Sequence, residues 1–102
     1  MRARRWDPSD GELSEAALRE RFQAPSFRVA QNVYPPGTAF SARTRACTVY
    51  VLGGALWLRS GEAGDFSAGD VLELEAGDYE LEVAASGEAT LVSVWNLRPH
   101  MN

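Results

Sequence analysis

The chain contains no lysine; all ten of its basic residues are arginines. Cysteine and histidine occur once each, as Cys47 and His100. One cysteine excludes an internal disulfide and any multi-cysteine metal site. No apolar run approaches the roughly 20 residues of a membrane-spanning helix. The basic start, MRARRW, is followed by no apolar segment, so no secretory signal is predicted and a cytoplasmic location is expected. A continuous basic face is also missing, which argues against a nucleic-acid partner.

What is present is strongly polarised. Net charge is −4, yet six arginines (Arg2, Arg4, Arg5, Arg19, Arg21, Arg28) lie in the first 28 residues. Positions 62–88 carry nine acids and no base. The N-terminal arginines are either a solvated surface or a contact for an acidic surface, such as that of a second copy. The 102 residues suit one domain with one core. A short helix is predicted over about 12–23, with Asp10 or Ser14 as its cap. Leu18 and Phe22 share one face of it, and Pro25 ends it. That stripe is too narrow for membrane binding.

From Phe27 the period changes to two. Phe27, Val29 and Val33 share one face of a half-buried strand; Arg28, Asn32 and Tyr34 share the other. Pro35-Pro36-Gly37 turns the chain. Positions 46–52 are β-branched and aromatic, and Gly53-Gly54 offers positive φ for a hairpin before a strand at 55–59. Glycine turn signals then recur every eight to ten residues between short strands at 71–74, 79–85 and 89–97. This spacing predicts an all-β sandwich or barrel over about 27–97, with a loose tail at 98–102.

The blocks Tyr34-Pro35-Pro36-Gly37, Tyr50-Val51-Leu52-Gly53-Gly54, Ser67-Ala68-Gly69-Asp70-Val71 and Glu75-Ala76-Gly77 resemble the two motifs of the small single-domain cupins. The resemblance implies an all-β jelly-roll barrel (a double-stranded β-helix), often a homodimer, with a ligand pocket in the barrel mouth. It also implies a divalent metal on two histidines two apart, a glutamate, and a third histidine after the second motif. Here this sequence departs. Counted from Gly37, the histidine positions fall on Arg43 and Arg45; counted from Gly54, on Ser41 and Arg43, with Cys47 at the glutamate position. The second-motif histidine corresponds to Glu80. Guanidinium is permanently protonated and ligates no metal, so neither metal nor cofactor is expected.

Arg43, Arg45 and Cys47 alternate as if on one strand face. Facing inward, two cations beside a thiol would suit an anionic ligand and lower the thiol pKa. Facing outward, the arginines would pair with the acids of 62–88. No histidine is near enough in sequence to serve Cys47 as a base. Of the aromatics Tyr34, Phe40, Tyr50, Trp57, Tyr79 and Trp95, a subset could line an apolar pocket, or Trp57 and Trp95 could form a sheet-to-sheet dimer contact, the reading favoured for Trp57 because it opposes Leu56 and Leu58. Motif position puts Glu80 in the pocket; alternation with Tyr79, Leu81 and Val83 turns it outward. The predicted ligand-binding set is Arg43, Arg45, Cys47, Tyr79 and Glu80. The expected function is a small-molecule binding or regulatory module taking a small anionic organic ligand. The alternative is a small enzyme of isomerase or dioxygenase type acting on an organic acid.

Overall fold

The computed structural model describes residues 1–97, so His100 and the tail at 98–102 lie outside the described residues. Among the described residues there are nine strands: β1 Arg2–Arg5, β2 Phe27–Tyr34, β3 Ala39–Thr44, β4 Cys47–Gly53, β5 Ala55–Ser60, β6 Glu62–Ser67, β7 Asp70–Leu74, β8 Gly77–Val83 and β9 Ala89–Asn96. One α-helix, α1 Glu15–Arg21, lies between β1 and β2 after a 3₁₀ turn at Pro8–Asp10. It is shorter at both ends than its pattern predicts. Ser14 Oγ accepts from Ala17 N at 3.1 Å and sets the start. Phe22 leaves helical geometry at the other end (φ −115°, ψ 46°).

The strands form a five-stranded sheet, β1-β7-β4-β9-β2, facing a four-stranded sheet, β3-β8-β5-β6. From β2 onward, only β5 and β6 are consecutive strands in one sheet, joined through Gly61 (φ +77°). Every other link crosses from one sheet to the other, the topology of a jelly roll. This corrects the expected hairpin at Gly53-Gly54. The β4 strand pairs with β7 and β9, and β5 with β6 and β8, so the two glycines form a corner between sheets.

Two strands have weak sequence signals. β1 is an arginine-rich tetrapeptide whose side chains are exposed, so no apolar alternation betrays it. It pairs with β7, where Arg4 meets Glu73 at 3.7 Å and Arg5 meets Asp70 at 3.0 Å. The acidic surface available to these arginines is therefore the chain's own. Arg5 also donates to the Ala68 carbonyl at 3.1 Å, while Asp70 accepts from Ser67 N at 2.8 Å, holding the 67–70 turn. β6 is acidic and contains Gly64, and as an edge strand it pairs with β5 alone.

The five-stranded sheet is buried on both faces. One face meets the other sheet through Val49, Val51, Leu72, Leu74 and Leu91. The opposite face, Tyr50, Val71, Val92 and Val94, lies under Leu18 of α1, with Trp6, Phe22 and Phe27 around it. Phe22 touches the Phe27 ring edge-on at 5.1 Å, and Trp6 touches Tyr50 at 5.9 Å. Membrane passage by helix is not supported: among the described residues no helix is long and apolar enough to span a bilayer.

Candidate functional site

Between the sheets lies a cavity of about 220 Å³. Val49, Leu56, Leu58, Leu72, Leu74 and Leu91 form its apolar wall. Its polar atoms come from Asn32, Arg43, Thr44, Cys47, Tyr79 and Ser93. Three aromatic side chains, Tyr34, Phe40 and Trp95, complete the lining. Asn32, Ala42 and Arg43 are the exposed lining residues, and all three sit on β2 or β3, the free edges of the two sheets. The cavity therefore opens between those edges. The Tyr34 and Phe40 rings, 5.2 Å apart, close the gap near the 35–37 turn.

Three of the five residues singled out from sequence, Arg43, Cys47 and Tyr79, line this cavity. They do not share one strand. Arg43 is on β3 of the four-stranded sheet, Cys47 opens β4 of the five-stranded sheet, and Arg45 lies in the exposed crossing between them. The expected alternating Arg-Arg-Cys face is thus broken by the sheet switch at 45–46. Neither Arg43 nor Arg45 makes an ion pair among the described residues. Glu80 is on the outer face, where it pairs with Arg59 of β5. Alternation therefore prevails over motif position, because Tyr79 and Val83 are buried and Leu81 lines the cavity. Ser41 is opposite Glu80 in the register and shares that outer face. Arg43, opposite Asp78, is on the same face of β3, so it borders the cavity from the exposed edge of the strand and not from the inner wall.

The thiol differs from its sequence expectation too. Burial pushes the Cys47 pKa up, partly offset by the Thr44 hydroxyl 3.9 Å away. A raised pKa means less thiolate at any given pH, and thiolate is the reactive form. Alkylation of Cys47 by iodoacetamide is expected to be slow at pH 8, with the midpoint of the rate-against-pH curve above that of an unburied thiol. A midpoint below 8 would show that the cations at the opening govern the thiol after all. Tyr79 hydroxyl donates to the Glu75 carbonyl at 2.6 Å, which locks the phenol in place.

Sequence patterning missed Asn32 and Ser93, and left Trp95 open between a pocket and a dimer contact; it lines the cavity. The reason lies in β2. Its apolar residues Phe27 and Val29 pack in the layer under α1, so its polar residues face the cavity. The available signal was the helix itself: an amphipathic helix beside a sheet must cover an apolar sheet face. A larger but open groove of about 440 Å³ runs past Trp57, Asp65 and Glu82 on the four-stranded sheet. It is a surface depression, whereas the interior cavity lies between two sheets. Trp57 is half-buried there.

No protein-family model and no curated protein matches the sequence. Solved structures do match. A cupin protein from Bacteroides fragilis is 18% identical with a TM-score of 0.63, over 83% of this chain and 77% of that one. A Cupin 2 conserved barrel domain protein from Salinispora arenicola is 21% identical with a TM-score of 0.59, over 92% and 73%. A cupin domain from Schizosaccharomyces pombe is 13% identical with a TM-score of 0.61; the match covers 69% of this chain but only 52% of that one. The fold is that of the cupins.

The metal set that the cupin resemblance implies does not fit this barrel. Among the described residues the lining offers an amide, hydroxyls, phenols and a thiol, with Arg43 at its exposed edge, and neither an imidazole nor a carboxylate. Among the described residues no three His, Cys, Asp or Glu side chains converge. Arg43 is one of the exposed residues that border this largely apolar chamber.

Proposed function

We propose that this cupin-fold barrel is a binding module for a small organic acid, with the apolar body inside and the carboxylate at the opening. The supporting observation is the apolar cavity with Arg43, lacking a carboxylate partner among the described residues, at its rim. At about 220 Å³ the cavity is smaller than the roughly 300–1,000 Å³ of drug-sized sites. An apolar cavity of roughly 150 Å³ holds benzene in another protein, so a body of roughly six to eight carbons suits this one. Burial pushes the Cys47 thiol pKa up and the Tyr79 hydroxyl is committed to Glu75, which favours binding over nucleophilic chemistry by either group.

Hexanoate and benzoate at saturating concentration are expected to raise the melting temperature. Ligand at a hundred times its Kd stabilises by about 2.7 kcal/mol, which for a domain of this size is roughly 10–20 °C. No shift with these acids or with their neutral alcohols at millimolar concentration would overturn the proposal. A homodimer through the outer face around Trp57 belongs to the same proposal, and sedimentation as a monomer at tens of micromolar would remove it.

A further inference from the structure

The ligand cavity has a second cation whose place only the register discloses. Arg28 on β2 lies directly opposite Trp95 on β9. Directly opposed residues share a sheet face, and Trp95 lines the cavity. The Arg28 guanidinium carbon stands 5.6 Å from the Trp95 ring centroid. Stacking on an indole face holds a guanidinium in place without consuming its hydrogen-bond donors. Arg28 has no carboxylate partner among the described residues, whereas Arg4, Arg5, Arg19 and Arg59 each have one.

Its position relative to Arg43 completes the geometry. The β2 and β3 strands are the free edges of opposite sheets and flank the opening. The chain turns between them at 35–37, so Arg28 near the start of β2 and Arg43 near the end of β3 both lie far from that turn. The turn end is closed by Tyr34 and Phe40; the cationic end is not. Two arginines from opposite sheets thus border the same open end, in a chain whose net charge is −4. A fixed pair of guanidiniums beside an apolar chamber draws the charged end of a ligand to the rim and leaves its body inside.

We propose that Arg28, seated on Trp95, is a second anion-binding group of this site, so that the ligand is an amphiphilic monocarboxylate whose head group lies between Arg28 and Arg43. This rests on the binding function proposed above and adds a specificity that the cavity walls cannot supply: discrimination of the acid from the alcohol of the same shape. Calorimetric titration of hexanoate and of 1-hexanol into the wild type, Arg28→Gln and Arg43→Gln, at low ionic strength, tests it. Hexanoate is expected to bind the wild type more tightly than hexanol. Arg28→Gln is expected to weaken hexanoate about tenfold, the scale of a lost charge-assisted hydrogen bond, and to leave hexanol unchanged. The hexanol arm shows that the variant is folded with its cavity intact. Unchanged hexanoate binding in Arg28→Gln alongside a loss in Arg43→Gln would overturn the role of Arg28 while the binding function stands. Failure of both hexanoate and hexanol to bind the wild type would overturn the binding function and this proposal together.

Discussion

Gly54→Ala is expected to lower stability by roughly 2–5 kcal/mol, the sum of backbone strain and overpacking. Gly54 has φ +80°, a conformation that side chains with a Cβ rarely adopt. A Cβ there would stand 2.2 Å from the Glu88 carbonyl oxygen and 2.8 Å from Ala89 Cα. Both are backbone atoms, so no side chain can swing aside; the corner or the start of β9 must move. The corner carries the chain from β4 to β5, and residues of β4, β5 and β9 line the cavity. Melting is expected to fall by roughly 10–30 °C. Gly53→Ala supplies the control. Its nearest atoms belong to the Thr90 side chain at 4.0 Å, and its φ is not in the left-handed region. That variant is expected to be neutral or to gain up to about 1 kcal/mol. Equal losses in the two variants, read by urea unfolding, would refute the close crossing as the reason for Gly54.

Leu18→Ala is the second large effect, expected to cost roughly 2–5 kcal/mol. Leu18 is 1% exposed and is the one buried residue of α1. It joins Tyr50, Val71, Val92 and Val94, which belong to four strand positions in the middle of the five-stranded sheet. Truncation leaves a void under a short helix whose other anchor, Phe22, is held by ring contacts to Phe27 and Tyr50. That support limits collapse onto the void, which puts the cost towards the upper part of the range. The ligand cavity is on the other side of the sheet, so hexanoate affinity is expected to persist at temperatures where the variant is folded. A loss below about 1 kcal/mol would show that the helix layer opens independently of the barrel.

The site was less legible than the fold for a reason visible in particular residues. Cys47 and Tyr79 are where an inward-facing residue belongs, one opening a strand and one in phase with the apolar Leu81 and Val83, and both line the cavity. Arg45 looked equivalent to Arg43 because position alternates along an extended chain. The switch of sheets between β3 and β4 cancels that equivalence, and nothing in RTRAC announces it. Glu80 was drawn inward by its place in a motif and outward by its neighbours; the three apolar residues beside it outweigh one glutamate, which finds Arg59 outside. Asn32 went unnoticed because a strand covered by a helix reverses the usual rule that the polar face meets water.

Local patterning by itself determined the β content, the helix and its Leu18-Phe22 face, the positions that need glycine, and the lack of the usual cupin metal donors. Those follow from periodicity, from positive φ and from which side chains exist at all. Only the tertiary structure decided which strands share a sheet, that β1 joins through Arg4 and Arg5, and which face of β2 turns to the cavity. The physical reason is that long-range pairing is chosen by burial summed over the whole barrel. Arg28 is the case in point: its local sequence marks it as a surface cation, and only its opposition to Trp95 across two distant strands sets it beside a cavity residue.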